Sequence, residues 1–555
     1  MSEDNFRANE VFEVRDEDIA IERFIEICHK ESTKIKLSAE VCRKVQESRA
    51  LLDRFVEQER VIYGVNTSMG GFAHVLVSID LASQLQNNLL HSVATNVGEY
   101  FDDQSVRAIM LARIFSLARG VSAISLDNLQ IYVELFNHRI YPCIPQKGSL
   151  GASGDLGPLA FIALAATGQW RVRRHGIEQD AKDVLEVLKI RPMRLSYKEG
   201  LAMINGTSAM AGIAALNWHQ ADVLLRMYTM ISCLSFEALE TKQKPFDPRV
   251  HQRKRHVGQL DLARRISTIC ASSRQIVDEH EEEKRIQALS EGKTGVQSTH
   301  RQIEDAYSLR CTPQILGPVQ DSLGFIKTML ENELNSSSDN PLVIPEENEV
   351  FHNGHFHGQY MAMAMDHLSI ALTTLSNLSD RRIDRYMDKN NSNGLPPFLC
   401  KDGQGLRLGL MGGQFMATSL TAENRSLCVP LSIQTLTSTG DFQDIVSFGL
   451  IAARRAREIL NNTAYIVAFE LLCACQAVDI REAQDKLSVL TRQLYLETRK
   501  VLPFLAIDLT ITPFLEKLKL LVHDTDVCAH LDLIYQSLPI ISKGVSALDT
   551  VAEAL

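Results

Sequence analysis

The sequence predicts an all-α protein, a bundle of long helices, and three observations predict it. Proline is scarce, 16 residues in 555. Apolar residues recur at three- and four-residue steps over long intervals, as at Met361, Met365, Leu368, Leu372 and Leu375. Glycine and proline gather in a few places and leave those intervals uninterrupted. Helices this long and this apolar must bury their faces on one another.

The elements follow in chain order. Residues 61–65 and 184–190 are short apolar runs that predict strands. Residues 201–242 hold only two glycines, Gly206 and Gly212, both near the start, and predict a long helix. Residues 322–334 and 356–387 predict two more, and 451–480 and 483–501 continue the pattern. No repeat at a fixed period occurs. Breakers lie at 64–71, 148–158, 205–208, 335–341 with 353–358, and 390–413. Loops held by rigid helices are where binding and chemistry concentrate, so those are the places to search.

Composition excludes several classes. Hydrophobic residues make up 45% and charged residues 23%, an ordinary globular balance that excludes a disordered chain or a fibre. The formal net charge of −10, from 58 basic and 68 acidic residues, disfavours a dedicated nucleic-acid binder. The basic runs at 171–174 and 253–255 are short and read as solvated surface, as does the acidic stretch 279–285. Eleven cysteines include no C-x-x-C pair, which fits reduced thiols in a cytoplasmic protein. The acidic N-terminus has no apolar signal core, and no apolar run approaches the roughly 18 residues of a membrane helix.

The densest motif is Gly148-Ser-Leu-Gly-Ala-Ser-Gly-Asp-Leu-Gly-Pro-Leu-Ala160. It lacks the Gly-Lys-Ser/Thr ending of a phosphate loop. Ala152-Ser153-Gly154 offers different chemistry. Glycine has no Cβ, so the Gly154 nitrogen can approach the Ala152 carbonyl and close a five-membered ring. Loss of water from that ring and from Ser153 leaves an exocyclic methylene conjugated to carbonyl and imine, a strong electrophile.

This motif resembles the signature of the aromatic amino acid lyase family, the histidine, phenylalanine and tyrosine ammonia-lyases and related 2,3-aminomutases. Blocks in family order support the resemblance: Ile62-Tyr-Gly-Val-Asn-Thr67, Ile204-Asn-Gly-Thr-Ser208, Tyr307-Ser-Leu-Arg-Cys-Thr-Pro-Gln314, Asn335-Ser-Ser-Ser-Asp-Asn-Pro341 and Phe442-Gln-Asp-Ile-Val-Ser447. The resemblance implies a 4-methylidene-imidazol-5-one group (MIO) formed autocatalytically from Ala152, Ser153 and Gly154. It also implies long parallel helices and a homotetramer in which three chains share each site. With it, three consecutive portions are expected: 1–200 bearing the MIO and a lid loop, 201–480 a central bundle, and 481–555 a C-terminal helical segment.

Removing ammonia from an α-amino acid requires activation of the amine, capture of a non-acidic β-proton and fixation of the carboxylate. The electrophile at 152–154 meets the first need as a built-in cofactor. By resemblance Tyr63 is the base, and its phenol, ordinarily near 10, must be lowered by its surroundings. Arg310 offers a planar fork matched to a carboxylate, which is the role the resemblance implies for it. Tyr307 and Asn205 are implied near the electrophile and the amine.

His352, His355 and His357 fall within six residues, with Asp339 and Glu347 upstream, but they form no helical i, i+4 pair, so no metal is expected. The resemblance makes this the loop whose Phe356 contacts substrate or electrophile. It implies ring-facing Leu89, Ser92 and Val93, with Phe415 and Phe442 as walls, and Gln443 and Glu304 at binding positions. Histidine lyases tend to carry Ser-His where Ser92-Val93 stand, and a glutamate at Gln443, so both residues argue against L-histidine. A buried hydroxyl without a partner costs roughly 1–3 kcal/mol, which favours phenylalanine, while Ser92 keeps tyrosine open. Residues 61–71, 85–97 and 353–359 look most like bacterial phenylalanine 2,3-aminomutases and their lyase relatives. Those mutases often carry Thr-Ser-Gly, so Ala152 leaves lyase and mutase both open. The expected reaction is L-phenylalanine to trans-cinnamate. The alternative is β-phenylalanine formation; a non-catalytic scaffold is the competing reading of another class.

Overall fold

The computed structural model describes residues 10–299 and 302–539. Four long helices dominate it: Ser208–Ala238, Thr312–Leu334, Gln359–Met387 and Gly449–Ile480. The longest has 32 residues, about 48 Å at 1.5 Å per residue. They coincide with the long helical intervals of the sequence, and the all-α class is observed. Residues 483–501 form a short 3-10 turn, Gln484–Lys486, and a helix, Val489–Arg499, that starts where Ser488 caps the Thr491 amide. The acidic helix Glu279–Ser290 buries none of its residues, as a solvated face should.

Both strand expectations are corrected. Residues 61–65 form a turn, with Gly64 at φ +70°. Ile62 and Val65 are apolar because they pack beneath that turn with Leu51, Leu52, Phe55, Val343 and Val350. Residues 184–190 belong mostly to the helix Ala181–Leu188, whose buried Ala181, Val184 and Leu185 follow the i, i+3, i+4 pattern. The strands that do form are brief. Val11–Val14 pairs in parallel with Lys34–Leu37, and Leu342–Ile344 forms an antiparallel ladder with Glu349–Phe351. A third correction concerns apolar length. Gly449–Ile480 is long and apolar enough to cross a membrane, but 83% of its most apolar stretch is buried inside the protein, as in a core helix.

The chain divides into two compact units assembled from separated stretches. Among the described residues the first comprises 10–219, Phe325–His367 and Val429–Arg457. Its core is built on two helices buried nearly all round, Asp103–Ala118 and Leu156–Ala166. The latter has no polar face and begins directly after the glycine-rich bend, so burying it fixes the bend. Among the described residues the second unit comprises 220–299, 302–324, Leu368–Cys428 and 458–539. It contains the helices Val257–Cys270, Met411–Leu427 and Thr525–Ser537.

Candidate active site

The glycine-rich bend is held by backbone bonds across to 205–206. The Asp155 amide donates to the Gly206 carbonyl at 2.7 Å, and the Gly206 amide donates to the Ser153 carbonyl at 3.3 Å. The two strands approach so closely that a Cβ at 154 would collide with the Gly206 carbonyl, and Gly154 also sits at φ +75°. Only glycine satisfies both conditions. Asp155 anchors the other side: its carboxylate accepts the Met210 amide at 2.8 Å and the Ser149 hydroxyl at 3.3 Å. Burial pushes this carboxyl up to about 7, against those donors.

Two amides meet Ser153. Asn205 Nδ2 donates to the Ser153 carbonyl at 3.4 Å, and Gln443 Nε2 donates to Ser153 Oγ at 3.0 Å. The Gln443 orientation follows from its other end, where Thr439 and Ser438 hydroxyls donate to Oε1 at 2.6 and 3.2 Å. A glutamate there would present only acceptors to Ser153. Asn205 Oδ1 is buried and accepts no hydrogen bond among the described residues, which leaves it for a donor brought by a ligand. A close glycine pair, a serine hydroxyl and amide donors on both sides are compatible with the ring closure expected of this tripeptide.

Tyr63 stands in the turn after the helix Ala39–Glu57. Its amide donates to His352 Nε2 at 3.1 Å, and its phenol oxygen accepts the Gly70 amide at 3.0 Å. Buried Gln86 holds the same turn by donating to the Gly64 carbonyl at 3.0 Å. Burial raises the Tyr63 phenol, while the Gly70 amide works the other way and does not overcome it. The expected lowering is therefore not observed within this chain. The reason is the missing positive field: no Lys or Arg lines the surrounding cavity.

That cavity measures about 660 Å³ and lies wholly within the first unit. It brings together Tyr63, Ser153, Asn205, Leu89, Ser92, Val93, Phe356, Phe442 and Gln443, all named from the sequence. Ala152 and Gly154 adjoin it through Ser153. The Ser92 hydroxyl is already engaged, donating to the Leu89 carbonyl at 2.9 Å. Asn340, Thr439, Met69 and Gly70 also line it and were not singled out. Asn340 and Gly70 stood in breaker segments already noted, whereas Thr439 carried no sequence signal. His352, read only as part of a histidine cluster, lines the cavity and acts as acceptor for Tyr63. Behind it Lys198 and Asp339 form a fully shielded ion pair at 2.6 Å. Asp339 also accepts the Asn340 amide at 2.7 Å.

Tyr307, Arg310, Glu304 and Phe415 belong to the second unit and are not in the cavity lining. Tyr307 is 69% exposed and Phe415 66%. Arg310 pairs with Glu304 at 2.8 Å, and its guanidinium lies 5.0 Å from the centre of the Tyr307 ring.

The aromatic amino acid lyase family matches residues 19–500. The tyrosine ammonia-lyase of Cupriavidus metallidurans is 41% identical over 483 residues, 86% of this chain and 90% of that protein. The histidine ammonia-lyase of Natranaerobius thermophilus is 38% identical over 498 residues, 90% of this chain and 94% of that one. Among solved structures, the Pantoea agglomerans phenylalanine aminomutase is 55% identical with a TM-score of 0.90, covering 94% of this chain and 100% of that chain. The tyrosine aminomutase from Streptomyces globisporus is 36% identical with a TM-score of 0.91, covering 95% and 99%. Family match, sequence identity and fold agree over most of the length, and the chain belongs to the aromatic amino acid lyase family of ammonia-lyases and aminomutases.

Proposed function

We propose that the chain eliminates ammonia from L-phenylalanine to give trans-cinnamate, with MIO formed from Ala152, Ser153 and Gly154. The observation that carries the substrate is the wall of Leu89, Val93, Phe356 and Phe442. Beside it the Ser92 hydroxyl is already committed to a backbone carbonyl. An unsubstituted ring loses nothing against these four side chains, whereas a phenol or imidazole facing them gives up its bonds to water except where the Ser92 oxygen, free only as an acceptor, meets its proton.

MIO supplies the electrophile that makes the amine a leaving group. Tyr63 takes the β-proton once its phenol is ionised. Asn205 Oδ1 accepts from the substrate amine, and Gln443 Nε2, which holds Ser153 Oγ before ring closure, is freed for the substrate once that oxygen leaves as water. The carboxylate needs a cation, and the cavity lining has none. We infer that a second copy brings its Tyr307 and Arg310 to the cavity, and its Glu304 and Phe415 beside them, in a homotetramer with shared sites. Exposed apolar side chains at Tyr360, Met363, Phe415, Ile433 and Leu436 support burial against other copies. Eleven free cysteines support a cytoplasmic setting.

A second reading, phenylalanine 2,3-aminomutation, is favoured by the 55% identity to the Pantoea agglomerans enzyme. Chiral chromatography after incubation with L-phenylalanine, L-tyrosine and L-histidine separates the readings. Cinnamate as main product supports the lyase, and β-phenylalanine supports the mutase. Neither an arylacrylate nor a β-amino acid from any of the three would sink both. Co-expression of Tyr63→Phe with Arg310→Gln tests shared sites: hybrids should regain activity that neither variant has alone.

A further inference from the structure

Among the described residues, two ion pairs have both partners wholly shielded from solvent, Lys198–Asp339 and Arg382–Glu470. A buried pair contributes little net stability compared with apolar packing, so its value lies in the geometry it imposes. Lys198–Asp339 lies behind the cavity. Arg382–Glu470, at 3.1 Å, lies in the second unit and no step proposed above uses it.

Arg382 distributes its donors among named acceptors. Nη1 reaches Glu470 and the Ser232 hydroxyl, the latter at 2.6 Å. Glu470 is held in turn by Ser235 and Ser379 hydroxyls at 2.8 and 2.6 Å. The remaining donors point to one short segment: Nε donates to the Ser308 carbonyl at 2.8 Å, and Nη2 to Thr312 Oγ1 at 2.6 Å. Thr312 passes the connection on by donating to the Leu309 carbonyl at 2.8 Å. The guanidinium thus grips the chain on both sides of Arg310.

That segment needs an external hold. Tyr307–Arg310 is a single helical turn of four residues with no side-chain cap, and such a turn is not stable alone. Leu309 is buried beneath it. Tyr307 and Arg310, three residues apart, share one face of the turn.

We propose that Arg382, held by Glu470, is a positioning residue that sets the Tyr307–Arg310 turn and so governs affinity for the substrate carboxylate. The proposal rests on the reading of Arg310 as the carboxylate-binding residue.

Thr312→Val tests it with a near-isosteric change that removes one acceptor of Arg382 and the bond to Leu309. Inhibition constants are measured for trans-cinnamate and for its neutral counterpart trans-cinnamamide. Loss of this link should weaken cinnamate about tenfold, the equivalent of one hydrogen bond, and leave cinnamamide within about twofold. KM should rise in parallel with kcat nearly unchanged. Arg382→Lys, which keeps a charge for Glu470 but cannot reach both Ser308 and Thr312, should move the same ratio further. Equal weakening of both inhibitors, no weakening of either, or a lower kcat at constant KM overturns the proposal. Arg310→Gln separates the two layers. If it collapses the preference for cinnamate while Thr312→Val does not, the positioning role alone fails. If Arg310→Gln leaves the preference intact, the carboxylate reading fails and the positioning role falls with it.

Discussion

Replacing Tyr63 with phenylalanine removes one oxygen that has two separable duties, one proposed and one observed. The first is chemical. A positioned general base contributes about 10²–10⁴ in rate, or about 2.7–5.5 kcal/mol of barrier at 1.36 kcal/mol per tenfold. The second is mechanical, because the phenol oxygen accepts the Gly70 amide at 3.0 Å and closes the 63–70 loop on itself. Losing that bond costs about 0.5–1.5 kcal/mol, worth about a 2–13-fold rise in KM if the loop orders with substrate. Tyr63→Phe should therefore lower kcat by at least a hundredfold while KM rises by no more than about one order of magnitude. The pH profile carries a second signature. Burial raises the phenol, so the ionised base becomes more abundant as pH rises, and wild-type kcat/KM should climb on the alkaline side. The variant should lose that climb. The assay is the ultraviolet absorbance of the arylacrylate released from L-phenylalanine across pH 7–10. A variant kcat within tenfold of wild type, with the alkaline climb intact, would refute Tyr63 as the base.

Three further outcomes are expected. Ser153→Ala should abolish turnover while the helical circular dichroism stays, because the hydroxyl that the proposed ring formation expels is gone; normal turnover would remove the electrophile assignment. Lys198→Met leaves Asp339 buried without its partner, and breaking such a pair costs about 3–5 kcal/mol. Urea unfolding should show that loss, and a change below about 1 kcal/mol would show that Asp339 is relieved by other means. Glu237 gives a pH test. Burial pushes its carboxyl up to about 7, whereas the unfolded chain holds it near the ordinary value of about 4.3. The folded state thus keeps a proton that the unfolded state has released, and stability from this group falls as pH rises through 7. Between pH 6 and 8 the wild type should lose about 1.4 kcal/mol relative to Glu237→Gln. Parallel stability curves for the two proteins would contradict the shift.

Much of the site was legible in sequence because its defining chemistry is local. The proposed ring closure at 152–154 depends on three consecutive small residues, and local covalent requirements leave a readable string. Helix periodicity was legible for the same reason, since a 3.6-residue repeat repeats its own signal. The strand readings failed where apolar residues served packing instead of pairing, as Ile62 and Val65 do beneath the Tyr63 turn. An apolar run of five residues does not reveal which neighbour buries it.

The amino-acid sequence by itself determined the family, the all-α class and the Ala152-Ser153-Gly154 tripeptide. Tertiary structure alone decided the rest. It turned the Gln443 amide toward Ser153 across 290 positions of chain. It half-buried Tyr63 so that its phenol rises instead of falling, and it turned the Ser92 proton onto its own backbone. It also put Arg382 beneath a turn more than 70 residues earlier in the chain. Desolvation and hydrogen-bond orientation depend on which distant groups share a volume, and no local pattern of residues records that.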